Sequence, residues 1–168
     1  LAFAVSFDGP IAIRYPRGSA HQGLQEYQAP VEYGRSEIIR KGKKIAVLGV
    51  GSMIPSCMEI CKGLKDDGYD PTFVNARFVK PLDVDLLDEL AKDHSLFVTV
   101  EENVKSGGYG EHVSAYMEAC HPEIRVLSAA VWDRFVPQGN VESLRSRIGL
   151  GVEDIRQAIE DSEELREQ

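Results

Sequence analysis

The chain has 168 residues, of which 43% are hydrophobic and 27% charged, a composition typical of a water-soluble globular protein. Its formal net charge of −8 argues against a general nucleic-acid binder, because neutralising phosphates needs clustered Lys and Arg. No apolar run approaches the roughly 20 residues that span a bilayer, so we expect no membrane partner. Residues 1–5 are apolar but lack the basic flank and cleavage pattern of a signal peptide. They resemble the middle of a helix, so we expect the chain to be a fragment.

Two short strands and a linker are predicted before the first long apolar segment. Residues 11–14 have the composition of a strand, which Pro16 ends because proline forces the preceding residue out of the helical region. Residues 19–32 show no hydrophobic period and predict a linker. Residues 36–40 form a second strand candidate, and only residues 41–43 separate it from the next strand. That spacing is typical of a tight hairpin, which predicts one antiparallel edge strand.

The central predicted strand follows Lys44 and is the apolar segment 45–48, which has no polar alternation and so indicates burial on both faces of a parallel sheet. Three further strands are predicted at 72–76, 95–100 and 124–131. Helices are predicted between the strands, with apolar faces formed by Ile54, Cys57, Met58, Cys61 and Leu64, by Val84, Leu87, Leu90 and Ala91, and by Val113, Tyr116, Met117 and Cys120.

Asp83 is placed to cap the second of these helices, and two more helices are predicted at about 141–148 and 152–164. The alternation of strands and helices predicts an α/β fold. We expect a three-layer αβα sandwich, with a mostly parallel sheet, one antiparallel edge strand and right-handed crossovers.

A glycine-rich turn, Gly49-Val50-Gly51-Ser52, follows the central strand, where a phosphate-binding loop lies in nucleotide-binding folds. The dinucleotide-binding pattern fails because Ile54 stands where glycine is needed, and no Lys-Ser or Lys-Thr pair follows. Close packing of the strand on its helix is therefore the favoured explanation of the glycines.

Two charged pairs lie at predicted strand ends, where α/β folds place their ligands. Glu101 and Glu102 are adjacent, so their side chains point to opposite faces and cannot act together as an acid–base pair. A subunit or domain contact is the favoured interpretation of this pair. Arg77 and Lys80 have the charge to hold an anion, but pairing with nearby carboxylates at the surface is the more common arrangement.

The cysteines Cys57, Cys61 and Cys120 do not have the pattern of a disulfide framework, and the nearby histidines lack the spacing of metal ligands. We expect these thiols to be small core or half-buried groups in a reducing cytoplasm.

The strongest candidate site is the segment Arg14-Tyr15-Pro16-Arg17. Pro16 stiffens the bend between the two arginines, which reduces the conformational freedom that binding would remove. A guanidinium fork suits bidentate phosphate binding better than a flexible lysine does. From the residues alone, a structural arginine that pins the linker to a carboxylate stays open as the alternative.

Four segments carry a family resemblance. They are Gly9-Pro-Ile-Ala-Ile-Arg-Tyr-Pro-Arg-Gly18, Arg77-Phe-Val-Lys-Pro-Leu-Asp83, Val100-Glu-Glu-Asn103 with Gly107-Gly108, and Asp133-Arg-Phe-Val-Pro-Gln-Gly139. In this order they closely resemble the C-terminal part of the 1-deoxy-D-xylulose-5-phosphate synthase family, from about residue 9 to the last helix. The first two segments distinguish this family from other transketolase-type domains. Trp132 departs from the pattern, which has a smaller residue before Asp133.

The resemblance implies a transferase that depends on thiamine diphosphate and Mg²⁺ and acts as a cytoplasmic homodimer. Such enzymes condense pyruvate with D-glyceraldehyde 3-phosphate to 1-deoxy-D-xylulose 5-phosphate and CO₂, for isoprenoid, thiamine and pyridoxal phosphate synthesis. Position in the family motif implies that Arg17 contacts the acceptor phosphate and that Arg14 supports it. The family's catalytic, cofactor-binding and metal-binding residues belong to its upstream domains, so the resemblance assigns none of them to this chain.

The resemblance also implies a division of the chain. Residues 1–18 correspond to a remnant of the preceding pyrimidine-binding domain, residues 19–35 to a linker and residues 36–168 to a transketolase C-terminal-like domain. We therefore expect the chain alone to hold no thiamine diphosphate or Mg²⁺ and to be inactive. Joined to its missing N-terminal domains, it would supply acceptor-phosphate binding and dimer contacts.

Three other functions compete with this one. The C-terminal domain of a 2-oxo acid dehydrogenase β-subunit serves a lipoyl acceptor without a phosphate, so the paired arginines argue against it. A non-catalytic assembly module would explain the sheet edge and the loop from residue 101 to 108. A nucleotide-binding domain ranks last.

Overall fold

The computed structural model describes residues 1–16, 23–27 and 29–162. The strands are β1 (Glu37–Arg40), β2 (Lys44–Gly49), β3 (Thr72–Asn75), β4 (His94–Val104) and β5 (Arg125–Val131). The helices are α1 (Ala2–Ser6), α2 (Ile54–Asp66), α3 (Val84–Leu90), α4 (Tyr109–Cys120), α5 (Val141–Arg147) and α6 (Val152–Glu160), with a 3₁₀ turn at Gly51–Met53 before α2. None of the helices in the described ranges has the length and apolar character needed to cross a membrane.

The strands form one sheet in the order β1-β3-β2-β4-β5. β2 pairs in parallel with both β3 and β4, and β4 pairs in parallel with β5. β1 is antiparallel to β3 and lies at the edge. The predicted fold class, a mostly parallel sheet between helices with one antiparallel edge strand, is confirmed.

Alternate residues of β2 enter two hydrophobic cores, one on each face of the sheet. Ile45 and Val47 pack with residues of α2 and α6, whereas Ala46 and Leu48 pack with residues of α3 and α4. Each of these four β2 residues is 0–1% exposed. The prediction of a strand buried on both faces is therefore confirmed, and the two cores account for the missing polar alternation.

Two local predictions are wrong. Residues 11–14 form no strand; they are exposed and irregular, and no described strand lies beside them to complete a hydrogen-bond ladder. Residues 41–43 form no hairpin, because β1 pairs with β3 rather than with β2. The backbone of Lys44 adopts a left-handed conformation (φ +66°), and β3 lies between the two strands that were expected to be partners.

The cysteines are all free. Cys57 and Cys61 are buried on the inner face of α2, and burial raises the pKa of the Cys61 thiol to about 12. These two confirm the prediction of core thiols. Cys120 is exposed at the end of α4, so for this residue the prediction is wrong.

Candidate functional site

The segment with the paired arginines is only partly described. Arg14 lies in an irregular, exposed stretch that ends at residue 16. Within the described ranges, its guanidinium has no carboxylate partner and no hydrogen bond. Arg17 lies outside the described residues. The role assigned to these two residues stays a prediction.

Four aromatic rings attach the N-terminal segment to the loop after β3. Phe3 of α1 and Phe7, which directly follows the helix in an extended conformation, have ring centroids 5.6 Å apart. Phe7 stacks on Tyr33 at 5.0 Å, and Phe3 meets Phe78 edge to face at 5.7 Å. Tyr33 and Phe78 complete the set at 6.0 Å. Each ring thus contacts two others, and α1 is docked on residue 78.

Arg77 connects the same loop to the stretch that precedes β1. Its guanidinium donates to the carbonyl oxygens of Ala29 at 3.1 Å and Pro30 at 3.2 Å. It also pairs with the Glu37 carboxylate at 2.5 Å, with both side chains largely buried (14% and 9% exposed). Pairing with a carboxylate was predicted and is confirmed, although the pair is not at the surface. Lys80, in contrast, is exposed and has no ion pair with any described carboxylate.

Glu101 and Glu102 point in opposite directions, as the sequence predicts. Glu101 is buried (1% exposed), and its two carboxyl oxygens accept from the backbone N–H groups of Tyr109 at 2.9 Å and Gly110 at 2.8 Å. These are unpaired N–H groups in the first turn of α4, so Glu101 caps that helix. The contact expected of it with another subunit or domain is therefore not needed to explain its burial.

Glu102 joins two elements at the exposed carboxyl end of the sheet. Its carboxylate accepts from the Ser52 hydroxyl at 2.7 Å and from the Arg145 guanidinium at 3.1 Å. Partial burial opposes ionisation of Glu102, but the bonds from Arg145 and Ser52 outweigh it and lower the pKa of the carboxyl group. A subunit contact at this residue stays a prediction.

The glycine-rich turn packs closely, as expected. A Cβ atom on Gly49 would lie 2.8 Å from the Cys57 sulfur and 2.9 Å from Ile54 Cδ1, so only glycine allows α2 to approach β2 this closely. Gly51 adopts a left-handed conformation (φ +55°), which glycine permits without strain. The packing explanation is confirmed for Gly49, whereas a Cβ atom on Gly51 would contact nothing and its conformation explains that glycine instead.

A surface cavity of about 560 Å³ lies at the other end of the strands, near the C-terminal ends of α3 and α4. In it, Asp88 accepts from the Tyr116 hydroxyl at 2.8 Å and pairs with His121 at 2.7 Å. The bonds from His121 and Tyr116 lower the pKa of Asp88, and the bond to Asp88 raises the pKa of Tyr116 to about 12. Ligands of α/β folds bind at the carboxyl ends of the strands, and this cluster lies at the amino ends.

No motif in the sequence pointed directly to three contacts near the carboxyl ends of the strands. The Arg77–Glu37 pair joins residues 40 positions apart, and the Glu101 cap joins a strand to the helix after it. For the aromatic cluster, the spacing of Phe3 and Phe7 was the one available signal. Within the described ranges, no group of three His, Cys, Asp or Glu side chains is arranged to hold a metal ion.

Comparison with known protein families identifies the fold. The transketolase C-terminal domain family matches residues 34–155, which is more than half of the chain. The chain therefore belongs to this family.

Curated relatives of the chain are 1-deoxy-D-xylulose-5-phosphate synthases. The 1-deoxy-D-xylulose-5-phosphate synthase of Lachnoclostridium phytofermentans is 41% identical over 156 residues, which cover 92% of this chain and 25% of that protein. The synthase of Nitrosomonas europaea is 40% identical over 159 residues, with coverage of 94% and 25%. The resemblance seen in the sequence motifs is confirmed, and the chain spans about a quarter of the length of these relatives.

Solved structures agree with the fold. A split-gene transketolase described as an inactive beta4 tetramer superposes with a TM-score of 0.75 at 28% identity, covering 82% of this chain and 45% of that one. Transketolase from Campylobacter jejuni superposes with a TM-score of 0.56 at 18% identity, covering 81% and 20%. The second likeness concerns the fold alone.

Proposed function

We propose that the chain is the C-terminal part of a thiamine-diphosphate-dependent 1-deoxy-D-xylulose-5-phosphate synthase, which condenses pyruvate with D-glyceraldehyde 3-phosphate and releases CO₂. The observation that carries the proposal is the 41% identity over 156 residues to a protein of that name. The paired arginines support it over a 2-oxo acid dehydrogenase β-subunit, because a lipoyl acceptor carries no phosphate. The division at residues 1–18, 19–35 and 36–168 belongs to this proposal.

Within that enzyme, Arg17 binds the acceptor phosphate and Arg14 supports it. The exposed position of Arg14 supports this role, because its guanidinium is accessible to a phosphate group. The alternative role, an arginine that holds the linker in place, is filled by Arg77, which donates hydrogen bonds to the carbonyl groups of Ala29 and Pro30. A planar guanidinium with several donors is well suited to a phosphate group.

Thiamine diphosphate supplies the electron sink for decarboxylation when it is bound. The described residues do not fit the cofactor's metal, since none of their acidic, histidine or cysteine side chains are grouped to hold Mg²⁺. We therefore assign thiamine diphosphate and Mg²⁺ to other parts of the complete enzyme. A cytoplasmic homodimer that serves isoprenoid, thiamine and pyridoxal phosphate synthesis completes the proposal.

The test compares Arg17→Ala with the unmutated complete enzyme, using glyceraldehyde 3-phosphate and unphosphorylated glyceraldehyde as acceptors. Loss of a charge-assisted hydrogen bond to phosphate is expected to cost roughly 1.5–3 kcal/mol, or about ten- to a hundredfold in kcat/KM. The loss should appear with the phosphorylated aldehyde alone. Equal losses with both aldehydes would make Arg17 a structural residue, and an unmutated enzyme that accepts neither aldehyde would end the family proposal.

A second candidate is favoured by one observation. The split-gene transketolase that superposes at TM-score 0.75 is described as an inactive tetramer, so a related chain assembles without activity. On this basis the chain by itself is an assembly module, which contributes contacts between subunits and no chemistry.

A further inference from the structure

The exit loop of β3 holds the N-terminal segment through Phe78. Between described residues, the hydrogen bonds of residues 1–16 all lie within α1, from Val5 to Leu1 and from Ser6 to Ala2 and Phe3. The rings of Phe3 and Phe7 contact Phe78 and Tyr33 and so attach the start of this segment to the rest of the fold. Aromatic pairs of this geometry stabilise by more than the area they bury.

The same loop holds the chain a second time, at Ala29 and Pro30, through Arg77. The Glu37 carboxylate, which pairs with Arg77, also accepts from the backbone N–H of Ala29 at 3.3 Å. Arg77 has a positive φ of +51°, which is uncommon for a residue other than glycine and persists where surrounding contacts determine it. Such conformations cluster at active sites, ligand clamps and switch regions.

Two adjacent residues thus hold two separated stretches, residues 3–7 through the rings and residues 29–33 through Arg77 and Phe78, and the paired arginines of the sequence fall between these two stretches. We propose that Arg77 and Phe78, which we call the exit-loop pair, are positioning residues for acceptor-phosphate binding. The proposal rests on the proposed function. In this role Arg77 and Phe78 touch no substrate; they hold the stretches on either side of the paired arginines against the rest of the fold.

The experiment uses the complete enzyme and two variants at one position. Phe78→Leu removes the ring, whereas Phe78→Tyr keeps it and is the matched control. We expect Phe78→Leu to lower the ratio of kcat/KM for glyceraldehyde 3-phosphate to that for glyceraldehyde by about tenfold, mainly through KM. Phe78→Tyr should retain the ratio of the unmutated enzyme. Thermal unfolding of each variant shows whether stability changes alongside.

Arg77→Lys provides a second test if Phe78→Leu fails to fold, because lysine keeps the charge toward Glu37 but cannot bond both linker carbonyl groups in one plane. The same selective loss is expected of it. Equal losses with both aldehydes, or no loss, would overturn the positioning role. Arg17→Ala separates the two proposals. If kcat/KM for the phosphorylated aldehyde falls selectively in Arg17→Ala but not in the exit-loop variants, the proposed function stands and the positioning role fails. If Arg17→Ala shows no selectivity, the proposed function itself fails.

Discussion

His94 is a buried histidine whose two ring nitrogens are both satisfied. Nδ1 lies 2.8 Å from the Leu90 carbonyl oxygen, to which it donates because a carbonyl only accepts. Nε2, 2.7 Å from the Thr72 hydroxyl, then accepts. That neutral form matches the burial, which lowers the pKa of His94 below its usual 6.5 despite opposing contributions from Leu90 and Asp93.

This histidine predicts how stability depends on pH. The unfolded chain takes up a proton at His94 below about pH 6.5, whereas the folded chain resists it. The contribution to stability is complete above pH 6.5 and is lost as the pH falls toward the lower folded pKa. One proton accounts for at most about 1.4 kcal/mol per pH unit. Urea denaturation at a series of pH values from about 8 to about 5 measures the loss.

His94→Gln is the control, because it cannot titrate in this range. Carboxyl groups titrate in both proteins, so the difference between the two stability curves isolates the histidine. We expect that difference to change below about pH 6.5 and to be constant above it. Parallel curves throughout the range would show that His94 is not the responsible group.

The start of α4 depends on a side chain from β4, the strand before it. Gly108, at the N-cap, has no side chain to bond the first N–H groups of the helix, and Glu101 supplies both oxygens instead. We expect Glu101→Gln to lower the free energy of unfolding by about 1–3 kcal/mol, since the amide has one accepting oxygen and leaves a buried N–H unpaired. Chemical denaturation of the isolated chain measures this.

Glu102→Gln is the matched control one residue away. Its carboxylate is exposed and bonds Ser52 and Arg145 at the surface, where such pairs contribute about 1 kcal/mol or less. The loss should therefore be clearly smaller than for Glu101→Gln. If the two substitutions cost the same, the capping of α4 is not what holds Glu101 in the core.

The elements differ in how well the sequence predicts them. β2 to β5 and the helices between them were predicted because burial on two faces and a helical apolar period are local patterns. The pairing of β1 with β3 was not predicted. A three-residue connection between β1 and β2 fits a hairpin, but it also allows β3 to lie between β1 and β2 in the sheet. The Arg40–Asp70 ion pair and the bond from Lys43 N to Asp70 O, which hold this crossover, join residues far apart in sequence.

The same distinction applies to the candidate site. The phosphate-binding role of Arg14 and Arg17 was inferred from residue type and motif, and the described residues leave it a prediction. Predicting how the N-terminal segment docks would have required the partners of Phe3 and Phe7, which are Phe78 and Tyr33. Long-range contacts of this kind arise from the tertiary fold and leave no period in the sequence.

For the molecule as a whole, the property to test is whether the isolated chain has catalytic activity. It spans about a quarter of the length of its curated relatives, and the proposed function assigns thiamine diphosphate and Mg²⁺ to other parts of the complete enzyme. We therefore expect the purified chain to release no CO₂ from pyruvate above background, with glyceraldehyde 3-phosphate, thiamine diphosphate and Mg²⁺ supplied. The complete enzyme under the same conditions is the positive control, and CO₂ release is the measurement.

Sedimentation of the same sample extends the experiment, because the two proposed functions place different demands on the chain. An inactive chain that associates would match an assembly role for this domain in the complete enzyme. An inactive chain that is monomeric at high concentration would count against that role, and the dimer contacts would then have to lie elsewhere. Turnover by the chain alone would contradict the prediction. It would place the cofactor site within these 168 residues, and the domain division would have to be withdrawn.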